Sequence, residues 1–114
     1  MSDETSISPE RAQALVQDGG QLVDVRGDSE HEAGHIPGDR HIRFDRLKDE
    51  VGSLDQSKPL IVYCRGGDRS GPAADALSAS GFQAFSIDGG ALAWHEQGLP
   101  FDGEITERSA LPPA

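Results

Sequence analysis

Cys64 is the only cysteine in the 114-residue chain, and it stands in YCRGGDRSG, where an apolar run gives way to two glycines, two arginines and the start of a helix. Glycines at 66 and 67 let the backbone curl so that successive N–H groups point inward. The helix that follows adds its own unpaired amides and the positive end of its dipole. Such a nest receives an anion, and a thiol at its rim is favoured as the thiolate, the nucleophilic form of sulfur. Arg65 and Arg69 bring positive charge to the same loop. A cysteine that closes an apolar strand is, taken alone, a small buried hydrophobe. Here the glycines, the arginines and the helix start argue for chemistry instead. With no second cysteine there is no disulfide and no resolving thiol, so covalent chemistry begun at Cys64 must finish on another molecule.

A second stretch carries a metal-like pattern. HEAGHIPGDRH, residues 31 to 41, fits H-E-x-x-H-x-x-G-x-x-H, in which two histidines one helical turn apart and a third beyond a glycine hold zinc while the glutamate activates its water. That geometry needs a regular helix through His31 and His35. Gly27 and Gly34 bracket the segment and Pro37 closes it, which leaves room for about two turns. The methionine turn that accompanies the extended motif is also missing, because the chain has no methionine beyond Met1. The stretch therefore reads as a turn that places strands, with His35 in a local hydrogen bond, His41 on or beside a strand, and no metal site. A cysteine protease would need a histidine aimed at Cys64, and nothing in the sequence aims one.

The elements that must position Cys64 follow from the apolar pattern. Ser8 and Pro9 open a helix that stops at Gly19 and Gly20. QLVDV (21–25) and PLIVYC (59–64) read as buried strands, with a brief strand at Arg40 to Ile42 and another in FQAFSI (82–87). FDRLKDEVGSL places Phe44, Leu47, Val51 and Leu54 at helical spacing. PAADALSAS (72–80) and ALAWHEQ (91–97) read as further helices. The alternation predicts one α/β domain with a parallel sheet and helices on both faces, and Cys64 at the carboxyl end of a central strand, where such sheets bind ligands. Asp24 and Arg26, ending a strand, read as a structural pair; Tyr63 is a strand residue, Trp94 and Phe82 are core, and Gly89 with Gly90 forms a tight turn. Residues 101–114 read as a polar, loosely ordered tail.

Charge narrows the partners. Twenty acidic residues against ten basic ones give a net charge of -10, which repels nucleic acid and anionic lipid. No secretory leader or membrane span is evident, so a cytoplasmic protein is expected.

Four motifs in order, LVDVR (22–26), E-x-x-x-G-H-I-P-G (30–38), CRGGDRS (64–70) and DGGALAWHEQGLP (88–100), resemble the rhodanese-like domains. The resemblance spans residues 1–100 as one domain and leaves 101–114 as the tail. It implies a central parallel five-stranded sheet flanked by helices, and a cysteine that carries a persulfide during sulfur transfer. Cys64 would be catalytic, with Arg65, Gly66, Gly67, Asp68, Arg69 and Ser70 binding the substrate, and neither cofactor nor metal is implied. The donor would be a small anion such as thiosulfate, or a persulfide, and the acceptor cyanide, a thiol or a protein. A monomer or weak dimer is expected. Phosphatases of the same fold carry five residues between cysteine and arginine, whereas Cys64 and Arg69 enclose four. Beyond these, a protein-specific sulfur carrier or a regulatory binding module is the competing reading. Two positions depart from the active pattern: Gly66 stands where many members have a hydroxyl, and Asp68 puts a negative charge in a loop meant for an anion. The latter disfavours thiosulfate and favours a neutral or protein-borne persulfide.

Overall fold

Leu60, Val62 and Cys64 face one side of the sheet while Ile61 and Tyr63 face the other, and all five are buried, which is why this strand reads as an unbroken apolar run. The structure, a computed structural model, describes residues 5–105. Along the chain lie β1 (Ser6–Ile7), α1 (Pro9–Gln17), β2 (Gln21–Asp24), α2 (Asp28–Ala33), β3 (Gly34–His35), β4 (Arg40–His41), α3 (Leu47–Glu50), β5 (Leu60–Tyr63), α4 (Ser70–Ala79), β6 (Ala84–Ile87), α5 (Gly90–Glu96) and β7 (Asp102–Gly103). Five strands form a parallel sheet in the order β1-β6-β5-β2-β4, and β3 pairs antiparallel with β7 in a separate ribbon. The parallel α/β architecture and its five strands are as expected.

Two apolar layers cover the sheet. On one face Val23, Val25, Leu60, Val62 and Cys64 pack against Leu47, Leu54, Ala73, Ala74 and Leu77 from the α3 region and α4. On the other, Leu22, Ile61, Tyr63 and Ile87 meet Ala12 of α1 and Trp94 of α5. Local signals start the helices. The Ser8 side chain accepts the Arg11 amide at 3.1 Å, and Pro9 occupies the first turn of α1, where its missing N–H costs nothing.

The structure corrects three expectations. The segment from Phe44 to Leu54 is not one helix: a single α turn, α3, lies between 3-10 turns at Phe44–Arg46 and Val51–Ser53. Gly52 and a β-branched Val51 weaken helix continuation, and the amide of Leu54 bonds back only three residues, to Val51. Leu47 and Leu54 are buried, but Phe44 remains 46% exposed. Strand β1 carries too few residues to show a period and escapes sequence reading, yet it extends the sheet through Ser86 and Ile87. Finally, the tail is not loose over residues 101–104. Trp94 Nε1 donates to the Pro100 carbonyl at 2.7 Å, Phe101 packs on the α1/α5 side of the core, and the Glu104 amide donates to Ala33 at 2.9 Å. Residues 106–114 of the expected tail lie outside the described residues. Among the described residues no helix is long and apolar enough to cross a membrane.

Candidate active site

Cys64 directly follows β5, and its side chain is 0% exposed on the floor of the loop that leads into α4. The amides of Gly67, Arg69 and Ser70 donate to its Sγ at 3.0, 3.3 and 3.3 Å. The Ser70 hydroxyl lies 3.5 Å from the same sulfur and 2.7 Å from the Ser86 hydroxyl on β6. N–H donors at these distances are complementary to negative charge on sulfur, and their arrangement at the start of α4 aligns them with the helix dipole. Only one of the two loop glycines is needed for the curl. Gly67 has φ +105°, a left-handed conformation that a side chain would strain, whereas a Cβ on Gly66 would meet nothing within 4 Å.

The loop is held from below by α5. The amides of Ala91 and Leu92 donate to the carbonyls of Cys64 and Arg65 at 2.8 and 3.0 Å. This approach requires Gly90, whose φ is +63° and whose Cβ would lie 2.5 to 2.6 Å from those two carbonyl oxygens. The expected tight turn at Gly89 and Gly90 is thus a support for the loop.

The expected site residues gather here, in different stations. Gly66 and Asp68 are exposed, Arg65 and Arg69 are half-buried, and Ser70 is buried. Asp68 Oδ1 lies 3.7 Å from Cys64 Sγ, placed to accept its S–H. Arg69 forms a two-pronged pair with Glu30, at 2.9 and 3.0 Å. That pair raises the Arg69 pKa further, outweighing its partial burial. Arg69 Nε remains buried without a hydrogen-bond partner.

Sequence reading quoted Glu30 within a motif but gave it no task. Burial pushes its carboxyl upward, but the Arg69 hydrogen bonds, the Gly27 amide at 3.0 Å and the charges of Arg69 and Arg26 outweigh that, so its pKa is lowered. Ser86 was missed as well, since a lone serine inside an apolar strand gives no signal of the partner it will meet. Behind the loop, Asp24 and Arg26 form the anticipated structural pair, fully buried, with bonds at 2.8 and 2.9 Å, and Arg26 also donates to the Gly34 carbonyl at 2.6 Å. Burial opposes the Asp24 charge, yet Arg26 and His31 hold its pKa low. Tyr63 has a polar task besides packing: its hydroxyl donates to Asp39 at 2.6 Å and accepts the Ile36 amide at 3.0 Å.

The zinc-like motif does not form the helix it would need. Helix α2 stops at Ala33, and His35 lies on β3. The rings of His31 and His35 stack at 4.1 Å, and those of His31 and His41 at 4.3 Å, nearly parallel in both cases. Ligand atoms of His31, His35 and Asp39 fall within 4.8 Å of one another. An ion in the plane of one stacked ring would nevertheless sit out of the plane of the next, so the lone pairs do not converge. One nitrogen of each ring is otherwise engaged: His31 Nδ1 with Asp24 at 2.8 Å, His35 Nδ1 with the His31 carbonyl at 3.1 Å, and His41 Nε2 with the Arg26 carbonyl at 2.8 Å. None of the histidines hydrogen-bonds Cys64, and His95 packs edge-on to Phe101.

Fold and loop together define a class: a parallel α/β domain that cradles one cysteine at the carboxyl edge of its central strand. The model of the rhodanese-like domain matches residues 8–97, and the chain belongs to that family. Among its relatives is the thiosulfate sulfurtransferase GlpE of Pseudomonas syringae pv. syringae, 40% identical over 95 residues that cover 82% of this chain and 90% of the relative. The thiosulfate sulfurtransferase GlpE of Stutzerimonas stutzeri is 38% identical over 109 residues, covering 95% and 99%. A solved structure, the rhodanese-related protein of Thermoplasma volcanium, superposes with a TM-score of 0.80 at 28% identity, over 87% of this chain and 98% of that one.

Proposed function

We propose that this chain is a sulfurtransferase that takes a sulfane sulfur from thiosulfate or a persulfide, holds it on Cys64, and passes it to cyanide or a thiol. The observation that carries the reading is the convergence of the Gly67, Arg69 and Ser70 amides on Cys64 Sγ. The Cys64 thiolate attacks the outer sulfur of the donor, the donor's sulfur–sulfur bond breaks, and sulfite or a thiolate leaves. The loop amides then hold the anionic persulfide, and Arg65 and Arg69 supply the positive charge that receives an anionic donor. The names of the curated relatives support the thiosulfate end of the reaction. The steps use only Cys64 and its loop, so neither metal nor cofactor enters them.

The short loop disfavours phosphate chemistry. Cys64 and Arg69 enclose four residues, one fewer than the phosphatase loops of this fold, and the amides of Gly67, Arg69 and Ser70 close on the sulfur itself. To test the reading, the protein is incubated with thiosulfate, its mass is followed for the gain of one sulfur atom, and cyanide is then added and thiocyanate assayed. Both signals are expected, and both vanish in Cys64→Ala. A mass gain without turnover assigns the chain to the protein-specific carriers, and phosphate release from an aryl phosphate overturns the reading.

A further inference from the structure

The Cys64 thiol has two oxygen neighbours that could take its proton, and they differ in where that proton could go. Ser70 Oγ, 3.5 Å from Sγ, is buried and bonded to Ser86, so it leads into the interior. Asp68 Oδ1, 3.7 Å away, belongs to an exposed residue at the mouth of the loop. A substrate that reaches the sulfur from solvent therefore meets the Asp68 carboxylate on the way in. For a dianion such as thiosulfate this is a like charge in the path. For a neutral thiol it is a base in the right place, because a thiol must lose its proton before its sulfur can attack.

Resting on the sulfurtransferase reading above, we propose that Asp68 is a catalytic residue that relays one proton in sulfane transfer between thiols, and so makes thiols the acceptor class of this site. The acceptor R–SH gives its proton to the Asp68 carboxylate, and its sulfur bonds to the outer sulfur of the Cys64 persulfide. The bond from that sulfur to Sγ breaks with its electron pair left on Sγ, and Asp68 returns the proton there. The products are the persulfide anion R–S–S⁻, which carries off the charge the Cys64 persulfide held, and the Cys64 thiol, with no external oxidant or reductant. Loading from a persulfide is the same sequence reversed, with Asp68 taking the Cys64 proton and handing it to the departing thiolate. Arg69, fixed by Glu30, stands on the same loop, close enough to feel the Asp68 charge.

The test separates acceptors that bring a proton from those that do not. Wild type and Asp68→Asn are loaded with thiosulfate, freed of excess donor, and mixed at pH 8 with either 2-mercaptoethanol or sulfite, and loss of the sulfur is followed by rapid-quench mass spectrometry. Asp68→Asn is expected to slow discharge to 2-mercaptoethanol by roughly a hundredfold. Discharge to sulfite, which arrives as an anion without a thiol proton, becomes faster, because a repulsive charge is gone. Asp68→Glu recovers part of the thiol rate. Equal slowing with both acceptors, or no slowing with the thiol, would each overturn the relay. If wild type itself gains no sulfur, the sulfurtransferase reading falls instead, and the two failures are distinguishable.

Discussion

Arg69 is legible in the sequence as a loop cation, but its orientation is not. A reader of CRGGDRS places its charge beside the sulfur, whereas the folded chain spends both terminal nitrogens on Glu30, a residue that precedes it by three strands. Such pairing depends on which elements the fold brings together, and no local pattern encodes it. Cys64 and Gly67 were legible because each is defined by its immediate neighbours. Gly66 was read as structural, yet the backbone there does not require glycine. The Glu30–Arg69 pair is buried on one side and partly open on the other, with side chains 8% and 24% exposed. Its worth therefore lies between that of exposed and fully buried pairs, and Glu30→Gln is expected to cost about 2 kcal/mol at pH 7. The sign of its pH dependence follows from the lowered Glu30 pKa. The stabilisation is complete above the ordinary glutamate value of about 4.3, begins to fade there, and is gone once the pH falls through the lower folded value. Urea unfolding at pH 7 and pH 3 should show the gap between wild type and Glu30→Gln close at the acidic end. A gap of equal size at both would remove the ion pair as its cause.

At the scale of elements, the loop depends on the backbone of a helix that lies beyond the next strand. Helix α5 reaches the Cys64 and Arg65 carbonyls only because Gly90 lets two backbones meet. Gly90→Ala would set a Cβ against both carbonyl oxygens and hold alanine at positive φ, which alone costs about 1 to 2 kcal/mol. The expected result is a loss of more than 2 kcal/mol in stability and of at least tenfold in sulfur loading on the order expected for a misplaced reacting group. Gly66→Ser is the control: with open space at its Cβ, stability stays within about 0.5 kcal/mol of wild type. If the two variants unfolded at the same denaturant concentration, the support assigned to α5 would be wrong. The glycine pair was visible in DGGALAWHEQ as a turn, but its target was not, because the target lies on another strand. The same limit explains the missed pairs of β1 with β6 and of β3 with β7. Two-residue strands have no period, and only the partner defines them. The misread Phe44 to Leu54 segment errs in the other direction, since helical spacing survives there while the hydrogen bonds tighten into 3-10 turns.

For the molecule as a whole, the alternation of strands and helices was enough to give the parallel sheet and the edge at which Cys64 stands. The strand order was beyond reach of local pattern, and it carries a consequence in time as well as in space. Ser6 and Ile7 find their partners at Ser86 and Ile87, so the first described strand has no sheet to join until almost the entire domain has been brought into place. Closing so long a loop is slow, so the β1–β6 contact is expected to form late, after the transition state has been crossed. Ile7→Ala removes a buried side chain from that late contact and is expected to cost about 2 kcal/mol. Nearly all of it should appear as faster unfolding, by roughly thirtyfold, with the refolding rate hardly changed. Stopped-flow measurement of both limbs checks this, and a loss concentrated in refolding would place β1 early. With the expected outcome, the strand that opens the sheet in sequence would be its latch in time, fastened last and released first.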